Sequence, residues 1–260
     1  MSEGRLVYEK QGAVARIVFD NPAAHNALTG QMWRDLRDTC RDVAADRAVR
    51  VLTLSGAGGK AFVSGTDISG FAHFRTGQDG LDYERGIDEC MAALDAVPVV
   101  TLAIVEGWAV GGGLNIASAC DFRIATTGSR FGSPLGRTIA NCLSASSYAR
   151  IAGAIGIPFA KRMLLLGEMI GADELLRSGF LYDAVEPSAL DAAAEALIQR
   201  AAENAPLTTR TTKEAIRRLV QGPRPDIDDL VAEVYGSDDF RLGVKTFLER
   251  CKVTPQWSGM

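Results

Sequence analysis

Apolar runs and helical stripes alternate along most of the chain. The densest run, Val99, Val100, Leu102, Ile104 and Val105, is near-continuous and rich in β-branched residues, which suits a strand buried on both faces and closed by Gly107. Gly111, Gly112 and Gly113 follow, and then Leu114, Ile116, Ala117 and Ala119 continue at helical spacing, so the glycines sit where a helix begins. Upstream, Leu6–Tyr8 and Ala13–Phe19 flank Lys10-Gln11-Gly12, a hairpin signal. Trp33, Leu36, Cys40, Val43 and Ala44 recur every three or four places and predict an amphipathic helix between Gly30 and Asp46. Val51–Ser55 reads as a strand, and Gly56–Gly59 as a tight turn. The stretch from Gly70 to Gly80 reads as a mobile loop able to close over a ligand. Tyr83, Ile87, Cys90, Met91 and Leu94 mark a helix that Pro98 stops.

Beyond the glycine helix, Phe122–Ala125 predicts a short strand, 141–153 a small-residue-rich helix, and Pro158–Leu166 a further helix. Ala172–Ser178 makes a short helix ended by Gly179, and Leu181–Val185 a strand. Strands alternating with helices imply an α/β core. After Pro187 the strand signal stops. Three helical patterns remain, over 188–203, 207–220 and 226–250, separated by Pro206 and by Gly222-Pro223-Arg224-Pro225. The shift divides the chain into a core over 1–205 and a helical region over 206–260. No repeat is visible at the level of residue identity.

Composition narrows the class. With 47% hydrophobic residues and a net charge of −4, the 260-residue chain suits one catalytic core, and neither disorder nor nucleic-acid binding is indicated. The start Met1-Ser2-Glu3-Gly4-Arg5 has no apolar signal segment, and Val97–Val105 is too short to span a bilayer, so a soluble, cytoplasmic protein without membrane partners is expected. Cys40, Cys90, Cys120, Cys142 and Cys251 form no close pair and read as reduced core fillers. His25 and His73 are the only histidines, so no metal site is implied.

A glycine-rich helix start offers unpaired backbone N–H groups and a positive dipole end to a negatively charged oxygen. A dinucleotide site is argued against by Ile116 at the third glycine place, and no G-K-[ST] or G-x-S-x-G sequence occurs. A second glycine loop, Lys60-Ala61-Phe62-Val63-Ser64-Gly65-Thr66-Asp67-Ile68, follows the strand Val51–Ser55. The pairing of K-A-F-x-x-G-x-D-I with a later G-x-x-x-G-G-G resembles the crotonase superfamily, also called the enoyl-CoA hydratase/isomerase family.

That resemblance implies a spiral of ββα units with C-terminal helices that assemble a homotrimer or a dimer of trimers. It implies an acyl-CoA substrate, with coenzyme A carried by the substrate and no separate cofactor. The thioester oxygen would lie between the amides of Thr66 and Gly112, beside Ser64, Asp67, Ile68 and Gly111, with Asp67 bracing its loop. Lys60, Ala61 and Phe62 would meet the CoA moiety, as would Phe247 and Arg250 of the last helix. Asn21 stands where the family often has a basic CoA contact.

The resemblance fails at the acid and base. Typical hydratases of the family carry two glutamates, which here correspond to Asn115 and Leu135; neither titrates, although Asn115 can orient a water and Leu135 can line the pocket. No Asp, Glu or His occurs from Gly136 to Gly167. His73, Asp79, Asp82 and Glu84 would reach a pocket only on closure of the 70–80 loop. The expectation is an acyl-CoA enzyme with enolate stabilisation kept and proton-transfer groups altered. The alternatives are a decarboxylase or carbon–carbon lyase of the same family, with Arg137 holding a substrate carboxylate, and a catalytically silent acyl-CoA-binding protein.

Overall fold

The structure, a computed structural model, describes residues 4–204, 206–220 and 228–250. The linker Gly222–Pro225 and Cys251 lie outside the described residues. The hairpin forms as the sequence predicts, with β1 (Arg5–Gln11) antiparallel to β2 (Val14–Asp20). Helix α1 (Gly30–Ala45) starts at Thr29, whose hydroxyl accepts from the Met32 amide, and it buries Met32, Trp33, Leu36, Cys40 and Val43 against the sheet.

From there one pattern runs three times. Strand β3 (Val51–Gly56) is followed by β4 (Ala61–Val63) and then by helix α2 (Gly77–Asp95). Strand β5 (Val100–Val105) is followed by β6 (Trp108–Val110) and α3 (Gly112–Ala119), and β7 (Phe122–Thr126) by β8 (Arg130–Gly132) and α4 (Ala145–Ile155). The first strands of these units pair in parallel in one sheet, and the second strands pair in parallel in another. The chain thus winds as a spiral of ββα turns. Helices α5 (Ile157–Leu165) and α6 (Ala172–Arg177) flank β9 (Ile170–Gly171), and β10 (Asp183–Val185) precedes α7 (Leu190–Ala202). The larger sheet has the order β1-β2-β3-β5-β7-β10 and the smaller β4-β6-β8-β9. Strand β5 lies inside the larger sheet and is buried along nearly its whole length, as its unbroken apolar run requires.

Three expectations need correction. The 70–80 stretch is not an open loop: a 3₁₀ turn occupies Ile68–His73 and α2 begins at Gly77. Phe71, Phe74 and Tyr83 stack with Tyr235 and Phe240 of the tail at ring distances of 4.7–6.3 Å, and this aromatic group holds the turn down. The Asp79 carboxylate also accepts from the Arg75 and Thr76 amides and fixes the start of α2, which holds its pKa below the usual carboxylate range. Next, the helix expected over 141–153 starts only at Ala145, because Ser144 caps it. Finally, the single pattern over 226–250 is two helices, α9 (Asp228–Gly236) and α10 (Asp238–Leu248), since the Ser237 hydroxyl accepts from the Phe240 amide and restarts the chain. Helix α8 (Pro206–Val220) matches its predicted span.

Val231, Tyr235, Phe240 and Val244 of α9 and α10 join Phe71 and Ile139 in an apolar cluster separate from the main core. Of the described cysteines, Cys40, Cys90 and Cys120 are buried. Gly80 shows how tightly α9 sits on α2, because a Cβ there would lie 2.0 Å from Tyr235 Cγ. Gly80→Ala is therefore expected to cost about 1–3 kcal/mol of stability through overpacking, read by urea denaturation. Unchanged stability would mean that α9 does not rest there.

Candidate active site

The two glycine turns meet because backbone packs directly on backbone. A Cβ on Gly113 would lie 2.1 Å from the Val63 carbonyl oxygen, so only glycine lets α3 approach β4 this closely. Gly111 takes φ 53° and ψ −110° in the turn before α3, a conformation closed to other residues. On the other side, the Leu28 amide donates to the Gly65 carbonyl (2.9 Å) and the Asp67 amide donates to the Leu28 carbonyl (2.8 Å). Neighbouring residues of an extended segment alternate their polar groups, so the Thr66 amide faces away from Leu28. Gly112 opens α3, and its amide has no intrahelical acceptor. Both residues border a cavity of about 210 Å³, mostly apolar, walled by α1, α2, α3, the 133–143 segment, α4 and α10.

Side chains pin this arrangement. Trp33 Nε1 donates to Thr66 Oγ1 at 3.2 Å, and the Tyr83 hydroxyl donates to the same oxygen at 2.9 Å. Asn115 is clamped at both ends: its Nδ2 donates to Ser147 Oγ (3.0 Å), while Arg150 donates to its Oδ1 (3.1 Å) and pairs with Asp95 (2.7 Å). Ser133 Oγ is buried on the cavity wall with no hydrogen-bond partner among the described residues.

The cavity wall also carries Glu84, whose residue is 4% exposed. The Tyr235 hydroxyl donates to its Oε1 at 2.9 Å and the Ser144 amide to its Oε2 at 2.8 Å. Burial pushes the carboxyl up to about 7, against the pull of these two donors and with a further push from Asp88. Tyr83, Cys142, Tyr148 and Tyr235 face it as well, and for each of them burial is the main cause of a raised pKa.

The cavity gathers Ser64, Thr66, Ile68, Gly111, Gly112, Asn115, Leu135 and Phe247 of the residues singled out in the sequence. The others lie off its wall. Ala61 and Phe62 are buried in β4, where Phe62 packs edge-on against Phe19, and Lys60 is exposed beside them. The Asp67 carboxylate accepts from the Ser69 amide and caps the 3₁₀ turn. Arg137 and Arg250 are exposed. Glu84 needs no loop closure to reach the cavity, contrary to expectation, whereas His73 and Asp82 are exposed. The signal for Glu84 was its spacing: with Ile87, Met91 and Leu94 it falls on the buried stripe of α2. Trp33 and Tyr83 carry the apolar periodicity of their helices, and their polar roles were hidden by it. Among the described residues no group of His, Cys, Asp and Glu could hold a metal ion, and no helix is long and apolar enough to cross a membrane.

Comparison with known proteins extends over the whole arrangement. A family model described as enoyl-CoA hydratase/isomerase matches residues 9–259. A short-chain-enoyl-CoA hydratase of Clostridium acetobutylicum is 31% identical over 97% of this chain and 98% of its own length. An (E)-benzylidenesuccinyl-CoA hydratase of Thauera aromatica is 36% identical over 81% of each chain. Among solved structures, an enoyl-CoA hydratase/carnithine racemase from Magnetospirillum magneticum superposes with a TM-score of 0.80 at 30% identity, covering 100% of this chain and 97% of that one. A methylmalonyl-CoA decarboxylase in complex with 2-nitronate-propionyl-CoA reaches 0.88 at 23% identity, over 98% of this chain and 99% of that one, and shares the fold.

The raised Glu84 carboxyl has a consequence for stability. The folded chain holds this proton to higher pH than the unfolded chain does, so stability should fall as pH rises from 4.5 to about 7 and then level off. At about 1.4 kcal/mol per pH unit, the part of the fall due to Glu84 is on the order of 3–4 kcal/mol. Urea denaturation at a series of pH values should show this component in the native protein and not in Glu84→Gln; identical slopes would refute it.

Proposed function

The chain belongs to the enoyl-CoA hydratase/isomerase family, and on that premise we propose that it turns over an acyl-CoA thioester by way of an enolate held between the amides of Thr66 and Gly112. The observation that carries the reading is the single cavity bordered by two backbone turns, each with an amide free of regular secondary-structure bonding on that side. Two preorganised donors in a water-poor site stabilise a developing oxyanion, and loss of one such donor costs roughly 2.7–4 kcal/mol in well-studied enzymes. Ser133 Oγ, buried on the same wall without a partner among the described residues, supplies a further polar group for a ligand.

The ordinary paired-glutamate hydration does not belong to this proposal. Leu135 has no proton to give. Asn115 has its oxygen engaged by Arg150 and one amide hydrogen engaged by Ser147, which leaves one hydrogen to orient a ligand and no basic atom. Decarboxylation or carbon–carbon cleavage has less support, because Arg137, the cation suited to a departing carboxylate, is exposed and off the cavity wall. A silent binder would gain nothing from a buried carboxyl on the wall, which burial alone disfavours in its charged form. Assembly into trimers through the tail is part of the proposal, supported by the exposed apolar residues Leu207, Ile216, Phe247 and Leu248 of α8 and α10.

Titration calorimetry with acetyl-CoA should give saturable binding at one site per chain, and absence of heat or saturation would remove the acyl-CoA assignment. Crotonyl-CoA, followed by loss of its enoyl absorbance, should be hydrated on the order of 10²–10⁴-fold more slowly than by a hydratase with both glutamates. Hydration at the full rate would show that Asn115 and Leu135 do not occupy the places assigned to them.

A further inference from the structure

Both places where the family carries carboxylates are filled by groups that cannot titrate, yet the same cavity holds one carboxyl that can. Glu84 reaches the wall from α2, a different element from the α3 and 133–143 segments that carry Asn115 and Leu135. It is not remote from them. Ser144, whose amide donates to Glu84, has its Oγ 3.2 Å from Ser147 Oγ, and Ser147 in turn accepts from Asn115. Its neighbour in sequence, Tyr83, holds Thr66 in place. The carboxyl, the clamped asparagine and the loop carrying the Thr66 amide are thus linked through direct hydrogen bonds and one peptide step.

We propose that Glu84 is the catalytic acid–base of this site, moving one proton between two carbons of an unsaturated acyl thioester; this rests on the acyl-CoA reading above. The Glu84 carboxylate takes a proton from C2 of a 3-enoyl thioester. The C–H bonding pair moves into the C1–C2 bond while the carbonyl π pair moves onto the thioester oxygen, where the Thr66 and Gly112 amides hold the charge. When the dienolate collapses, an oxygen pair re-forms the C1–O π bond, the C1–C2 π pair moves to C2–C3, and the C3–C4 π pair forms the new C4–H bond with the proton returned by the Glu84 carboxyl, whose O–H pair stays on the carboxylate. Atoms and charge balance with no second acid, no water and no co-reactant, which fits a cavity offering a single titratable carboxyl among its wall residues.

The surroundings suit a group that must both take and give a proton near neutrality. Burial raises the carboxyl to about 7, where it spends comparable time in either form. The Tyr235 hydroxyl and Ser144 amide occupy one lone pair on each oxygen and leave the others for substrate. Among the described residues no cation forms an ion pair or hydrogen bond with Glu84; Asp88 on α2, Tyr83, Tyr148, Cys142 and Tyr235 are the titratable groups facing it. Arg150, the nearest guanidinium on the adjoining network, is engaged by Asp95 and Asn115.

The test uses the full chain with 3-butenoyl-CoA, followed by gain of crotonyl-CoA absorbance, and with butyryl-CoA in D2O, followed by deuterium uptake at C2. The native protein should isomerise the first and, through exchange of the Glu84 proton with solvent while the enolate is held, label the second, with a rate that rises with pH through about 7 as Glu84 ionises. Glu84→Gln should lose on the order of 10²-fold or more in kcat for both and lose the pH dependence. Its acetyl-CoA affinity should stay within about threefold, as for a group acting in the transition state. Glu84→Asp should recover part of the rate, and Tyr235→Phe, which removes a hydrogen bond to the ionised form, should move the pH midpoint upward. A Glu84→Gln protein that retains the native rate overturns the proposal, as does a native protein that binds acetyl-CoA but neither isomerises nor labels; in that second case the acyl-CoA reading stands alone. A native protein that binds no acyl-CoA overturns both.

Discussion

Everything at this site depends on the approach of one main chain to another at Gly113. Helix α3 presses against the Val63 carbonyl with no Cβ between them, and that contact sets the distance between the turn carrying Thr66 and the turn carrying Gly112. Peptide groups are stiffer than side chains and have no rotamers to reorganise, so donors placed by backbone packing are preorganised at little entropic cost. The parallel ββα turns give this packing its rigidity: β6 is joined laterally to β4 and to β8, so neither turn can move without disturbing a hydrogen-bonded neighbour.

Around this fixed cradle the polar side chains fall into two groups with different physics. Asn115, Arg150 and Asp95 form a network in which each member answers another, which fixes shape and leaves no basic atom towards the cavity. Glu84 is under-compensated: two neutral donors meet it, no cation of the described residues neutralises it, and Asp88 opposes its charge. Buried groups of the first kind stabilise a geometry. Those of the second kind cost stability and are commonest where a proton has to move.

The fold was legible in the sequence wherever hydrophobic periodicity was strong and a cap or glycine bounded it. The run through Val99–Val105 and the stripe from Trp33 to Val43 gave β5 and α1 nearly residue for residue. Strand β6 was missed because Trp108–Val110 is too short to show a period, and the threefold ββα plan lies in strand pairing, with no counterpart in residue identity. The 70–80 stretch misled because its glycines and polar residues outnumber its aromatics, although Phe71 and Phe74 decide its conformation by packing on residues 161 to 169 positions away in the chain. The backbone turns of the site were legible through their glycines. Glu84 was legible as a pocket candidate but was tied to loop closure, since its place on the buried stripe of α2 only becomes informative once its partner Tyr235 is known to stand beside it.

That partner comes from the tail. Glu84 owes its dry surroundings to α9, whose Tyr235 both covers the carboxyl and donates to it, while the two glycine turns are complete long before α9 is synthesised. A chain emerging from the ribosome therefore carries both glycine turns well before it carries the residues that bury Glu84, so the dry surroundings of this carboxyl require segment 228–250 to be present.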